Sequence, residues 1–72
     1  MLKYRVHEPL LAVLGEPGMP GAFMTIEPGS VITVKGDVKQ SGFVEVGYGS
    51  QIVKAFMRDI EKRADRVEGH AG

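Results

Sequence analysis

Residues 42–57 read Gly-Phe-Val-Glu-Val-Gly-Tyr-Gly-Ser-Gln-Ile-Val-Lys-Ala-Phe-Met, and this stretch predicts a β-hairpin. Gly49-Ser50 suits the two-residue loop of a type II′ or type I′ turn, because glycine adopts the positive φ that both turns need. A turn at this point fixes the strand register and sets Glu45 directly opposite Lys54. Side chains alternate between the two faces of a strand, so one face of the hairpin is small and apolar. Its members are Val44, Val46, Val53, Ala55 and Met57.

The other face of the hairpin is the main candidate for a functional surface. We call it the hairpin patch, and it comprises Phe43, Glu45, Ile52, Lys54 and Phe56. Small sheets usually expose their second face to water, and an apolar patch there often marks a partner surface. We therefore predict self-association through the patch, with a different protein as the second possible partner. The alternative is a second small core, in which the C-terminal segment covers the patch with Ile60 and Val67.

Length and composition limit the class of protein. The chain has 72 residues, no cysteine, and nine basic against nine acidic residues. This length predicts one domain over residues 1–68 with a flexible tail at 69–72, and such small domains are often stabilised by oligomerisation. A net charge of zero makes a general nucleic-acid binder unlikely. With neither a signal-peptide core nor a membrane-length apolar run, we expect a cytoplasmic protein without a membrane partner.

The remainder of the chain predicts short strands joined by turns. Glu8-Pro9 breaks the first strand region, because proline has no backbone donor. Glu27-Pro28-Gly29-Ser30 has the proline and glycine positions of a type II turn. Two polar or glycine-rich loops are expected at Gly15–Gly21 and Lys35–Ser41. The predicted strands before the hairpin are Lys3–Val6, Leu10–Leu14, Ala22–Ile26 and Val31–Val34.

The segment from Arg58 to Val67 predicts a short helix, with Asp59 as its N-cap. Ile60, Ala64 and Val67 would form one apolar stripe, although Val67 could instead open a closing strand. A second spacing of four places three cations on one helix face as a possible anion or nucleic-acid contact, with Tyr48 or Phe43 as stacking platforms. Interleaved acidic residues favour a solvated helix face instead. The three cations are Arg58, Lys62 and Arg66.

No spacing of residues predicts catalysis, a cofactor or a metal. His7 and Glu8 are neighbours on a strand, so their side chains point to opposite faces and cannot chelate one ion together. The serines at 30, 41 and 50 all lie in predicted turns, where serine is common without a catalytic role. We therefore expect a non-enzymatic protein without a cofactor.

The order of elements resembles that of an SH3-like β-barrel of about five strands with a short C-terminal helix or 3₁₀ segment. The matching parts are the loop Gly15–Gly21, the turn at Pro28-Gly29, the strand Ile32–Val34, the hairpin Phe43–Met57 and the segment Asp59–Ala64. The chain also resembles a group of short uncharacterised bacterial proteins. Their pattern I-x-x-G-S-V-I-x-V, then V-x-V, then V-x-x-F-x-x-D-I-x-x-R, is found at residues 26–34, 44–46 and 53–63.

One stretch is similar to an enzyme family. Plasmid-type dihydrofolate reductases are short SH3-like chains that assemble a tetrameric pore with a Val-Gln-Ile-Tyr strand. Gln51 and Ile52 match that strand, whereas Val53 stands in place of the tyrosine and the family's lysine has no counterpart. The resemblance implies, as a further alternative, an oligomeric pore that binds a small ligand or acts as an enzyme.

Overall fold

Seven antiparallel strands form one sheet in the computed structural model, which describes residues 2–14 and 21–67. The sheet order is β3-β2-β6-β5-β4-β1-β7, and the helix α1 joins β6 to β7. The all-β class is confirmed, with two strands more than the five or so expected. The elements are β1 (Leu2–Val6), β2 (Leu10–Leu14), β3 (Ala22–Ile26), β4 (Val31–Lys35), β5 (Phe43–Tyr48), β6 (Gln51–Phe56), α1 (Met57–Arg63) and β7 (Ala64–Val67).

The predicted hairpin register is confirmed at all six positions, from Phe43 opposite Phe56 to Tyr48 opposite Gln51. Gly49 has a φ of 62°, and none of the described non-glycine residues has a positive φ. A type I′ turn needs positive φ at both central residues, so Ser50 rules it out and the loop is type II′. The local chemistry of Gly49 therefore sets the pairing of the two longest strands.

The turn between β3 and β4 also forms as predicted. Gly29 takes a φ of 94°, and the Ser30 amide donates to the Glu27 carbonyl oxygen at 3.2 Å. Pro28 fixes its own φ at the second position of the turn. Only glycine adopts the positive φ of the third position without strain. The Gly29 amide then donates to the carbonyl oxygen of Val6 at 2.7 Å, which connects this turn to the end of β1.

The break at Glu8-Pro9 has a larger effect on the fold than the sequence indicates. It separates two strands that lie apart in the sheet: β1 pairs with β4 and β7, whereas β2 pairs with β3 and β6. From Tyr4 onward the even-numbered residues of both strands point into the core, as the alternation of side chains along a strand requires.

The core lies on the concave side of the sheet and is entirely apolar among the described residues. Four of the five residues predicted for the inner hairpin face are buried in it, and the fifth, Met57, is half-buried because it begins α1. Leu14 and Met24 pack against its margin. The buried residues are Tyr4, Val6, Leu10, Ala12, Ile26, Ile32, Val34, Val44, Val46, Val53, Ala55, Ile60 and Ala64.

The predicted C-terminal helix is wrong at its end and at its cap. The helix spans Met57–Arg63, and the residue before it is an extended Phe56 without a side-chain cap, so Asp59 lies in the first turn instead. The chain turns directly into β7, which pairs with β1 along four residues. A closing strand therefore forms, as in the alternative, but it begins at Ala64 and Val67 is its last residue. Strand pairing outweighs the weak helix preference of this short segment.

The end of α1 is bonded to the link between β1 and β2. The amides of His7 and Glu8 both donate to the Arg63 carbonyl oxygen, at 2.8 and 3.2 Å. The last carbonyls of a helix lack partners within it, so these two amides satisfy one of them. The Arg63 guanidinium also pairs with the Glu8 carboxylate at 3.2 Å.

The sheet is not a closed barrel within the described ranges. Its outermost strands are β3 and β7, and these two do not pair with each other. The predicted loop Gly15–Gly21, except Gly21 itself, and the predicted tail at 69–72 lie outside the described residues.

Candidate functional site

The structure brings the five residues of the hairpin patch together on the outer face of β5 and β6. The Phe43 and Phe56 rings stack with centroids 4.1 Å apart and an interplanar angle of 22°. Ile52 is 58% exposed and Phe56 is 43% exposed, whereas Phe43 is half-buried. The patch is therefore a surface of apolar groups in contact with water.

A row of alternating charge crosses this face. Glu45 lies opposite Lys54 on β6 and opposite Lys35 on β4. Lys35 extends along the sheet, so that a Cβ atom added to Gly47 would lie 2.9 Å from its Cε. The absence of a side chain at Gly47 leaves room for the lysine, whose aliphatic stem covers the backbone there.

No described element covers the hairpin patch. The alternative, in which Ile60 and Val67 form a second core over it, is wrong. Ile60 is fully buried on the opposite, concave side, and Val67 pairs with Lys3 at the far edge of the sheet. Three strands, β5, β4 and β1, separate β6 from β7. The C-terminal segment therefore packs into the main core and does not cover the hairpin patch.

Two further exposed apolar residues extend the hairpin patch, and the sequence analysis left them out. Leu11 on β2 is 54% exposed and Phe23 on β3 is 69% exposed. Val13 links them to the patch, since it lies opposite Phe23 on one side and Lys54 on the other. The signal was present in the run Leu10–Leu14, which has apolar residues at both parities and so must expose some of them.

The three cations predicted to share a helix face do not do so. Arg58 and Lys62 lie on α1, but Arg66 lies on β7 opposite Tyr4, because the helix ends at Arg63. The Arg63 guanidinium at the end of α1 pairs with the Glu8 carboxylate and not with an acidic residue of the helix. Of the two suggested stacking platforms, Tyr48 packs against the core and Phe43 is already stacked on Phe56.

An open groove of about 730 Å³ adjoins the hairpin patch. It lies between residues 38–42 and the first turn of α1, and Phe56 forms part of its wall. The Met57 amide donates to the Gly42 carbonyl oxygen at 2.9 Å, and this hydrogen bond joins the two segments that line the groove. Val38, which is 50% exposed, adds an apolar side chain at its rim.

The described residues gather no set of three side chains able to hold a metal ion, and His7 and Glu8 are both exposed. None of the described helices has the length and apolar character needed to cross a bilayer.

The fold and surface define a small all-β protein with one antiparallel sheet, whose outer face has exposed apolar residues that no element in residues 2–14 or 21–67 covers. Comparison of the sequence with models of known families, with curated proteins and with solved structures finds no significant match.

Proposed function

We propose that this chain is a non-catalytic interaction module that associates with itself through the hairpin patch. The observation that supports this most is the uncovered pair Ile52 and Phe56, at 58% and 43% exposure, beside a helix that packs elsewhere. Removing such groups from water stabilises a contact by about 25 cal/mol for each Å² of apolar surface.

A specific contact would need only part of the surface of this chain. A standard interface buries roughly 800 Å² on each partner, which is about one sixth of the 4995 Å² that this chain exposes. The hairpin patch together with Leu11 and Phe23 spans four adjacent strands, β3, β2, β6 and β5. An interface of this kind has an apolar centre and a polar rim.

The charge row supports a second copy as the partner. A twofold contact must be complementary to itself, because the same patch lies on both sides. Lys35, Glu45 and Lys54 alternate in sign, so a rotated copy can set its Glu45 against a lysine. The pair Glu45 and Lys54 would then fix the register of the contact as well as that of the hairpin.

The finer fold relationship is also a proposal. The predicted strands occur in the predicted order, and a short helix precedes the last strand, which supports the resemblance to SH3-like barrels. Relationship to the short bacterial proteins rests on the sequence pattern at residues 26–34, 44–46 and 53–63. A cytoplasmic location is a separate proposal, made from the lack of a membrane-length apolar run.

A single-stranded nucleic acid is the second candidate partner. Lys3, Arg5 and Lys35 point to the same outer face as the stacked rings, and aromatic rings beside cations suit such a ligand. Binding of this kind would weaken steeply with added salt, whereas apolar self-association would not. A pore like that of the plasmid-type reductases would require an oligomer with a central cavity, so a strict monomer would exclude it.

The decisive experiment is the solution mass of Phe56→Glu, measured by light scattering over a tenfold range of concentration. We expect the wild-type chain to be oligomeric and the variant to be folded and of lower mass, because a contact through the patch would bury its carboxylate unpaired. Val31→Glu is the matched control, since Val31 is 44% exposed on β4 of the same outer face, opposite Arg5 and outside the hairpin patch. It should keep the wild-type mass.

Ile52→Glu provides a second variant, because Ile52 faces Gly47 and is not part of the ring stack. It should also be folded and of lower mass than the wild-type chain. A monomeric wild-type chain, or an unchanged mass in both patch variants, would overturn the proposed function.

A further inference from the structure

The two edges of the sheet differ in how they are protected. Strand edges carry unpaired backbone donors and acceptors, and natural proteins usually defend them with charges, proline or bulges. At one edge, β7 has the exposed charged residues Asp65 and Arg66. At the other edge, β3 reads Ala-Phe-Met-Thr-Ile and has none of these devices.

The side chains of β3 are also more exposed than those of a usual core strand. Only Ile26 is buried, while Phe23 is 69% exposed and Met24 is half-buried at the margin of the core. Among the described residues β3 pairs with β2 alone, through five opposed positions. Its outer side is thus a five-residue, uncharged strand edge without a partner from residues 2–14 or 21–67.

We propose that this edge is a second self-association site, at which β3 pairs antiparallel with β3 of another copy. Antiparallel pairing of identical strands is twofold symmetric, so one chain supplies both halves of the contact. No charge lies within β3 on either side, so the close approach of two copies meets no repulsion. This contact is separate from the hairpin patch and does not depend on it.

The symmetry and the side-chain alternation fix the register. Opposed residues in a sheet point to the same face, so the pairing must match odd with odd positions. One such register pairs all five residues: Met24 lies on the twofold axis opposite its own copy, and Phe23 lies opposite Thr25. Two seven-stranded sheets then join into one of fourteen strands. The half-buried Met24 side chains would cover each other on the concave side.

Cysteine cross-linking tests both the contact and its register, since the chain has no cysteine of its own. Directly opposed residues in antiparallel strands have Cα atoms about 4.5–5.5 Å apart, which suits a disulfide. Met24→Cys should therefore form a disulfide-linked dimer under mild oxidation.

Thr25→Cys is the matched control on the same strand. In this register two copies of Thr25 are diagonal neighbours, roughly 7–8 Å apart, which is beyond the usual disulfide range. We expect Met24→Cys to cross-link at least ~10-fold faster, although Thr25 is the more exposed side chain and would react first by random collision.

Two additional measurements keep the test decisive. Mixing Phe23→Cys with Thr25→Cys should give the heterodimer, because both sites are exposed and directly opposed in this register; this result decides the question if Met24→Cys does not fold. Adding Phe56→Glu to Met24→Cys should leave cross-linking unchanged, which separates this edge from the hairpin patch. Equal cross-linking of Met24→Cys and Thr25→Cys, cross-linking of Thr25→Cys alone, or none at all would overturn the proposal.

Discussion

The rings of Phe43 and Phe56 stack across the first pair of the β5–β6 hairpin, with centroids 4.1 Å apart. This pair lies at the open end of the hairpin and is the sixth residue pair when counted from the turn. Offset-stacked rings attract beyond the burial of their area. The same two side chains therefore close the hairpin and present the apolar surface that we propose as an interface.

A double-mutant cycle should detect this stacking. Phe43→Leu and Phe56→Leu each remove one ring, and we expect a coupling free energy of about 0.5–1.5 kcal/mol between them. The measurement is urea unfolding of the two single variants and the double variant, at one fixed protein concentration. A cycle between Phe43→Leu and Phe23→Leu is the control, and the two changes should add to within about 0.5 kcal/mol. Additivity in the Phe43–Phe56 cycle would contradict the stacking contribution.

The two isoleucines at positions 60 and 52 should respond very differently to truncation. Ile60 is fully buried where α1 packs on the sheet, so Ile60→Ala should lower the free energy of unfolding by about 2–5 kcal/mol. A 72-residue domain has a total of roughly 4–11 kcal/mol, so this variant should be partly unfolded at 37 °C. Thermal unfolding followed by circular dichroism measures the loss.

Ile52→Ala is the matched control, because the same atoms are removed from a side chain that is 58% exposed. It should cost less than about 1 kcal/mol in the isolated chain. If Ile52→Ala proved as damaging as Ile60→Ala at a concentration where the chain is monomeric, the outer face would be part of the core.

The hairpin could be predicted from sequence because its determinants are local. Gly49 permits one turn, and the turn fixes each opposed pair up to Phe43 and Phe56. The type II turn at Pro28-Gly29 is predictable for the same reason. In both cases a residue with restricted or exceptional φ decides the conformation before any distant contact forms.

The order of strands in the sheet depends on distant contacts, which local patterns do not contain. Glu8-Pro9 marks a break, but the break alone does not show that β1 and β2 lie far apart in the sheet. The helix end at Arg63 is another example, because pairing of β7 with β1 overrides the continuing helical spacing of Ala64 and Val67.

The extent of the candidate surface was underestimated for a related reason. Leu11 and Phe23 are residue types that are usually found in a core. Their exposure depends on which face of the sheet α1 covers. Because Ile60 packs on the concave side, α1 does not cover the outer face. The face of the sheet on which α1 packs is determined by the whole fold, and the spacing of residues 58–67 does not indicate it.

Charge reversal at Glu45 should lower the free energy of unfolding more than charge reversal at Lys54, because Glu45 lies between two lysines. Glu45→Lys would place three cations in adjacent strands at positions 35, 45 and 54, whereas Lys54→Glu leaves Glu45 opposite Lys35. Like charges directly opposed across strands cost about 0.2–1 kcal/mol for each pair, so Glu45→Lys creates two such pairs and Lys54→Glu one. Urea unfolding at low salt should rank wild type above Lys54→Glu and Lys54→Glu above Glu45→Lys. The differences in free energy of unfolding should become smaller at 1 M salt, where the Debye length falls to about 3 Å.

The double variant, with both charges exchanged, should recover the pair with position 54 but keep the repulsion with Lys35. Its free energy of unfolding should therefore stay below that of wild type. Full recovery would mean that Lys35 does not interact with position 45, and equal losses in the two single variants would contradict the alternating row.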